Sequence, residues 1–184
     1  MNHGVGLLQP FPGRTCGECT VCCVELEIHD PELTKADEVA CPHMLAGGCG
    51  IYASRPGTCA SWFCGWRLLN MGEGLRPDRS NVLMIPEMCH EPGYQKGGLK
   101  LVPVGGDPEV LLRDDVIDLA GRCIAGGAPI FLSYGSGARC KRVLLNPLAE
   151  PVVRAGDREG FLAIVRDTLG RLVAAAGQAS SAAP

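Results

Sequence analysis

Three things are missing from this sequence, and each removes a class of function. There is no excess of basic charge: 17 Lys and Arg against 20 Asp and Glu give a net charge of −3 and a pI near 5.8. Nucleic-acid binders usually carry a strongly basic surface, so the composition argues against that partner. No apolar run approaches the roughly 18 residues that a membrane span needs. Met1 to Arg14 carries neither a basic leader nor an apolar stretch of signal-peptide length. The expectation is a soluble, cytoplasmic protein without a membrane partner; a partner would be a protein or a small molecule. The recognisable catalytic loops are missing as well. There is no Walker loop, no H-E-x-x-H, no G-x-S-x-G, no dinucleotide fingerprint after a strand, and no C-x3-C-x2-C of radical S-adenosylmethionine enzymes.

What is present is cysteine. The chain holds 11, and eight of them fall between Cys16 and Cys64. In a reducing compartment so dense a cluster points to metal or redox chemistry rather than to disulfides, and the odd total argues the same way. The stretch around these cysteines is rich in turn residues, such as Gly47-Gly48 and Pro56-Gly57, and poor in hydrophobic periodicity. Such a segment buries too little apolar surface to fold alone, so ligated metal is expected to organise it. The rest of the chain is conventional, and a hydrophobic content of 46% against 20% charged residues supports a real core. These contrasts divide the chain into a cysteine-rich metal-binding module over 1–78, an α+β domain over 79–177 and a disordered Ala/Ser-rich tail over 178–184.

The patterning predicts the following elements. Asp30-Pro31-Glu32 reads as a helix start, and a second short helix is expected from about Thr58 to Asn70. Asn81 to Met88 and Leu99 to Val104 read as paired strands, and Asp107-Pro108-Glu109 opens a helix that ends at Gly126-Gly127. Pro129 to Tyr134 and Arg139 to Asn146 form a second hairpin across Gly135-Ser136-Gly137. A last helix begins near Asp157 and buries Phe161, Val165, Leu169 and Leu172. The expected fold class is α+β: the cysteine module packed on a four-stranded, mostly antiparallel sheet with two helices on one face, in the order ββαββα.

The run Cys16-Gly-Glu-Cys19-Thr-Val-Cys22-Cys23 carries the chemistry. Two-residue gaps let successive thiolates curl around one metal centre, as in ferredoxin cluster loops. Adjacent Cys22 and Cys23 point in different directions, so one of them either serves a second centre or remains a buried thiol. Cys41, Cys49, Cys59 and Cys64 complete the ligand candidates. Cys59 and Cys64 have the four-residue gap of plant-type cluster loops. Zinc ribbons use two C-x2-C knuckles, and only the first half of this set has that form. The spacing therefore tilts toward an iron–sulfur cluster, 4Fe–4S, with one or two zinc ions as the alternative. Among histidines, His43 is the best further ligand candidate; His29, His90 and His3 are weaker. Trp62, Phe63 and Trp66 surround Cys64 and are expected to wall off a metal site from water.

Taken together, Cys16-x-x-Cys19-x-x-Cys22-Cys23, Cys41, Cys49-Gly-Ile51-Tyr52-x-x-Arg55-Pro56-x-x-Cys59 and Phe63-Cys64 resemble the YkgJ-type CxxCxxCC cysteine-cluster family. The resemblance covers about residues 14–85. That family is described as zinc- or iron-chelating, and flagellin lysine N-methylase carries a similar cysteine domain. One position departs from the pattern: Ala60 stands where such proteins often have arginine. The resemblance implies metal binding and supplies no reaction. Arg55-Pro56 is read as a turn bringing Cys59 toward the first loop, with Arg55 donating to a carbonyl or compensating thiolate charge. Three functions follow. The first is a redox, electron-transfer or metal-chelating module. The second is an enzyme, either an oxidoreductase or a methyl-transfer protein with a substrate pocket between the cysteine module and the sheet. The third is a zinc-stapled interaction adaptor.

Overall fold

The computed structural model describes residues 9–137 and 140–181 of the 184-residue chain. Its architecture is mixed α+β. The chain begins with one-turn α1 (Val21–Glu25), then a hairpin of β1 (Ile28–Asp30) and β2 (Leu33–Lys35) and a smaller one of β3 (Met44–Leu45) and β4 (Gly48–Cys49). Three short helices follow: α2 (Gly57–Ser61), α3 (Gly65–Leu68) and α4 (Pro77–Ser80). The larger elements are β5 (Val82–Met88), β6 (Gly97–Pro103), α5 (Asp114–Ala125), β7 (Ile130–Tyr134), β8 (Lys141–Leu144), α6 (Asn146–Arg154) and α7 (Arg158–Ser181).

The main sheet has the order β5-β6-β7-β8. β5–β6 and β7–β8 are the two antiparallel pairs expected from the sequence, and β6–β7 is parallel. The parallel step is the consequence of α5, which carries the chain back along the sheet before β7 begins, since parallel neighbours require such a crossover. Pro86 is tolerated in β5 because that strand lies at the sheet edge, where an absent N–H costs little. Leu83, Met84, Leu101, Ile117, Ile124 and Leu132 are all nearly inaccessible and form the centre of the core. α7 buries Phe161, Val165, Leu169 and Leu172, the face its spacing predicts.

Four expectations are altered. Asp30-Pro31-Glu32 is the turn of the β1–β2 hairpin, not a helix start: Asp30 Oδ1 accepts from the Glu32 N–H at 3.0 Å and closes a local turn. The expected helix from Thr58 to Asn70 is two short helices, because Trp62 and Cys64 are extended. A 3-10 turn over Pro108–Leu112 precedes α5, where one continuous helix was expected. Finally, two helices follow β8 rather than one. The additional α6 contains Pro147 and Pro151, which conceal it in the sequence. It is held at its start by Asn146, whose Oδ1 accepts from Ile130 N–H at 2.8 Å and whose Nδ2 donates to Ala128 O at 3.1 Å. α7 continues to Ser181, past Gln178 where the Ala/Ser-rich tail begins. Residues 182–184, and Arg139 of the second hairpin, lie outside the described residues.

The cysteine-bearing segment sits against the β5 edge through α3 and α4. Cys64, Trp66, Met71 and Leu75 belong to the main core, while Ile28, Leu33 and Cys41 form a small cluster of their own with Cys23, Met44 and Cys59.

Candidate metal centre

Local structure explains how each cysteine is aimed. Cys16 and Cys19 lie in a turn closed by Cys19 N–H on Cys16 O at 3.0 Å. Cys22 and Cys23 are consecutive on α1, so their side chains diverge by about 100° around the helix. Cys41 is tied to the same helix by its N–H on Cys23 O at 2.9 Å, and Cys49 ends β4. Gly48 allows this hairpin to close on the first loop. Its φ is +122°, and a Cβ there would lie 2.6 Å from Gly17 O. Cys59 lies within α2, and Cys64 is the extended residue that precedes α3. On one continuous helix residues five apart point about 140° from each other. The break at Trp62–Cys64 is what turns both sulfurs to the same place.

That place is a single largely apolar cavity of about 230 Å³, lined by Cys16, Cys19, Cys22, Cys23, Cys41, Cys49, Cys59 and Cys64. His43 lines it too, and so do Trp62, Phe63 and Trp66. His29 instead pairs with Glu27 at 2.9 Å, and neither it nor His90 lines the cavity. His3 lies outside the described residues. All 11 cysteines are free thiols; Cys89, Cys123 and Cys140 lie away from this cavity. Among the described residues no three His, Cys, Asp or Glu side chains stand close enough to hold a metal ion as they are placed. The donor chemistry nevertheless suits a soft metal: sulfur donors around a dry wall, with cations beside them. Ligation would draw in side chains that now only share a cavity.

The electrostatics are those of acids crowded into one low-dielectric space. Burial pushes the Cys64 thiol up to about 11, and repulsion from Cys16 and Cys19 adds to it. Burial also raises Cys19, and Cys59 is raised by burial and then by Cys23, Cys41 and Cys49. The Cys22 thiol donates to the Cys23 sulfur, which raises Cys22 strongly and lowers Cys23 to about 7; the Lys35 ammonium adds to the lowering. Thiols held protonated in this way ionise together only when a cation arrives to bind them.

Two cations at the site have no signal in the cysteine spacing. Arg67 is 7% exposed, and its Nη1 lies 3.0 Å from Cys16 Sγ and 3.5 Å from the Tyr52 hydroxyl. Its guanidinium stacks over Phe63 at 5.2 Å. Burial opposes its charge, and the bonds to Tyr52 and Cys16 more than offset that. Lys35 is 6% exposed and donates to the carbonyls of Ala36 at 2.8 Å, of Leu26, and of Val24, the residue that follows Cys23, at 3.0 Å. Arg55, singled out in the sequence, donates to Cys59 O at 3.2 Å and Tyr52 O at 3.1 Å and lies over the Tyr52 ring at 4.0 Å. Its observed bonds are thus to carbonyls. Asp30 accepts from the Thr58 N–H at 3.2 Å, so it caps the first turn of α2, which carries Cys59.

No helix among the described residues is long and apolar enough to cross a membrane. No family model, curated protein or solved structure matches this chain.

Proposed function

We propose that this chain is a thiolate-ligated metal protein that holds an iron–sulfur cluster, with zinc as the alternative occupant of the same donors, and acts as an electron-transfer or metal-chelating module. The observation that carries the reading is that all eight cysteines between Cys16 and Cys64, spread over six elements and loops, line one cavity. Packing alone gives no reason for eight of eight to do so, since buried thiols behave as small hydrophobes with no preference for one another. The apolar wall of Trp62, Phe63 and Trp66 would limit water access, and Arg67 would offset thiolate charge. The resemblance to the YkgJ-type cysteine-cluster family points the same way. The reading calls for a reducing, cytoplasmic setting that keeps thiols available, and it makes the cysteine-bearing segment a metal-organised module on the four-stranded mixed sheet.

The test is metal and acid-labile sulfide content, with a visible spectrum, on protein purified without oxygen. Brown protein with iron and sulfide is expected; zinc without sulfide would make the first third a structural site. Protein that carries no metal, and takes up none on anaerobic reconstitution, would refute the reading.

One observation favours a second reading, an enzyme of the oxidoreductase or methyl-transfer type. A more polar cavity of about 510 Å³ lies between the cysteine-bearing segment and the main sheet, with Glu25 and Glu38 on one wall and Lys100, Val102 and Tyr134 on the other. Heat released on adding S-adenosylmethionine, and lost when Tyr134 and Lys100 are replaced, would support it.

A further inference from the structure

We propose that the eight cysteines divide into two four-thiolate metal sites: Cys16, Cys19, Cys22 and Cys64 in one, Cys23, Cys41, Cys49 and Cys59 in the other. The division rests on the metal-binding reading above and adds to it the number of centres and the ligands of each.

Three features draw the same line. The first is packing. Cys41, Cys23 and Cys59 share the small apolar cluster built on Ile28 and Leu33, whereas Cys64 is part of the main core beside the sheet. Backbone bonds reinforce this: Cys41 is anchored to Cys23 O at 2.9 Å, and Met44, which pairs with Cys49 across β3–β4, is anchored to Cys41 O at 3.0 Å. On the other side Arg67 links Cys16 and Cys64, its side chain bonding Cys16 Sγ at 3.0 Å and its N–H bonding Cys64 O at 2.9 Å. The second feature is α1 itself. Cys22 and Cys23 stand about 100° apart around this helix, and of the two Cys23 packs on the small Ile28–Leu33 cluster with Cys41 and Cys59, whereas Cys22 does not join it. The third feature is charge. Each set has its own buried cation: Arg67 on Cys16 Sγ, and Lys35 on the carbonyl of Val24, the residue that follows Cys23. A divalent ion held by four thiolates leaves two negative charges, so two such centres need two separate compensations. The CC dipeptide is therefore the partition between the sites.

Cadmium is the probe, because it is thiophilic and its resonance reports the donor set. Protein titrated with cadmium under reducing conditions should bind two equivalents and give two resonances in the four-thiolate range. Cadmium–proton correlation on the unmodified protein should connect each resonance to the β-protons of one of the two sets, which requires no variant to fold. Cys16→Ser and Cys64→Ser should each remove the same resonance and leave the other, and Cys41→Ser and Cys59→Ser should do the reverse. Reconstitution with iron and sulfide, or with zinc, then tells which site takes which metal. A single resonance, one equivalent per chain, or correlations mixing Cys59 with Cys64 would overturn the division and leave the metal reading standing. Failure to bind cadmium, zinc or iron at all would overturn both.

Discussion

Replacing Arg67 with methionine keeps most of the aliphatic stem and removes the guanidinium. In the folded chain that guanidinium is 7% exposed and lies 3.0 Å from Cys16 Sγ. Coulomb attraction to a thiolate at that separation is about 5 kcal/mol for an effective dielectric near 20. That figure is a ceiling, since removing the arginine also removes the cost of burying it. A hydrogen bond to a charged group nets about 1.5–3 kcal/mol, which corresponds to a loss of about 10–100-fold in metal affinity, the range found for partners just outside the ligand shell. The metal-free protein should respond differently. There the Arg67 Nε has no partner, and a buried charge is relieved. Its stability should change by about 1 kcal/mol or less. The assay is competition for zinc against a chromophoric chelator, alongside guanidine melts of the metal-free protein. Arg67→Lys should recover part of the loss, since a lysine retains charge but not the flat contact with Phe63. An unchanged zinc affinity in Arg67→Met would refute the argument, and so would a loss of affinity matched by equal destabilisation of the metal-free chain.

Two further outcomes follow from the same geometry. In metal-free, reduced protein the Cys64 thiol is pushed from 9.0 to about 11, so the native state holds its proton more tightly than the unfolded chain does. Stability from this group is complete below pH 9 and is lost as pH rises toward 11, by about 3 kcal/mol. Melts from pH 8 to 11 should show this decline and Cys64→Ala should lack it; a flat difference between the two would count against the assignment. With metal bound the sign reverses, and acid should release metal because protons compete for the thiolates. Gly65→Ala tests the seat of α3: a Cβ there would lie 2.9 Å from both Met84 Cβ and Leu99 Cδ2. Met84 Cβ cannot swing aside, so overpacking should cost the upper part of its usual range, about 2–3 kcal/mol; against about 1 kcal/mol of helix propensity gained, a net loss of about 1–2 kcal/mol is expected by thermal melt, with weaker metal binding through the displaced Cys64. An unchanged or raised melting temperature would remove α3 from the account of how the site is held.

The sequence by itself determined the regular parts and the eight cysteines of the candidate site. Alternating and helical spacing located β5 to β8, α5 and the buried face of α7, because apolar periodicity reports which side of an element meets the core. Cysteine density marked the eight residues that line the cavity, because thiol clusters are legible without tertiary contacts. Local propensity misread Asp30 because an aspartate can close a turn or cap a helix. Tertiary structure has it do both, closing the β1–β2 turn and capping α2 across the hairpin. The two prolines of α6 concealed a helix that Asn146 anchors through buried hydrogen bonds. Only the fold could bring Arg67 to Cys16, 51 residues away in sequence, or bury Lys35 on the carbonyl of Val24. Nothing in linear spacing records which sulfurs become neighbours. That depends on how two hairpins and three one-turn helices close around one cavity, and closure of this kind is decided by long-range packing.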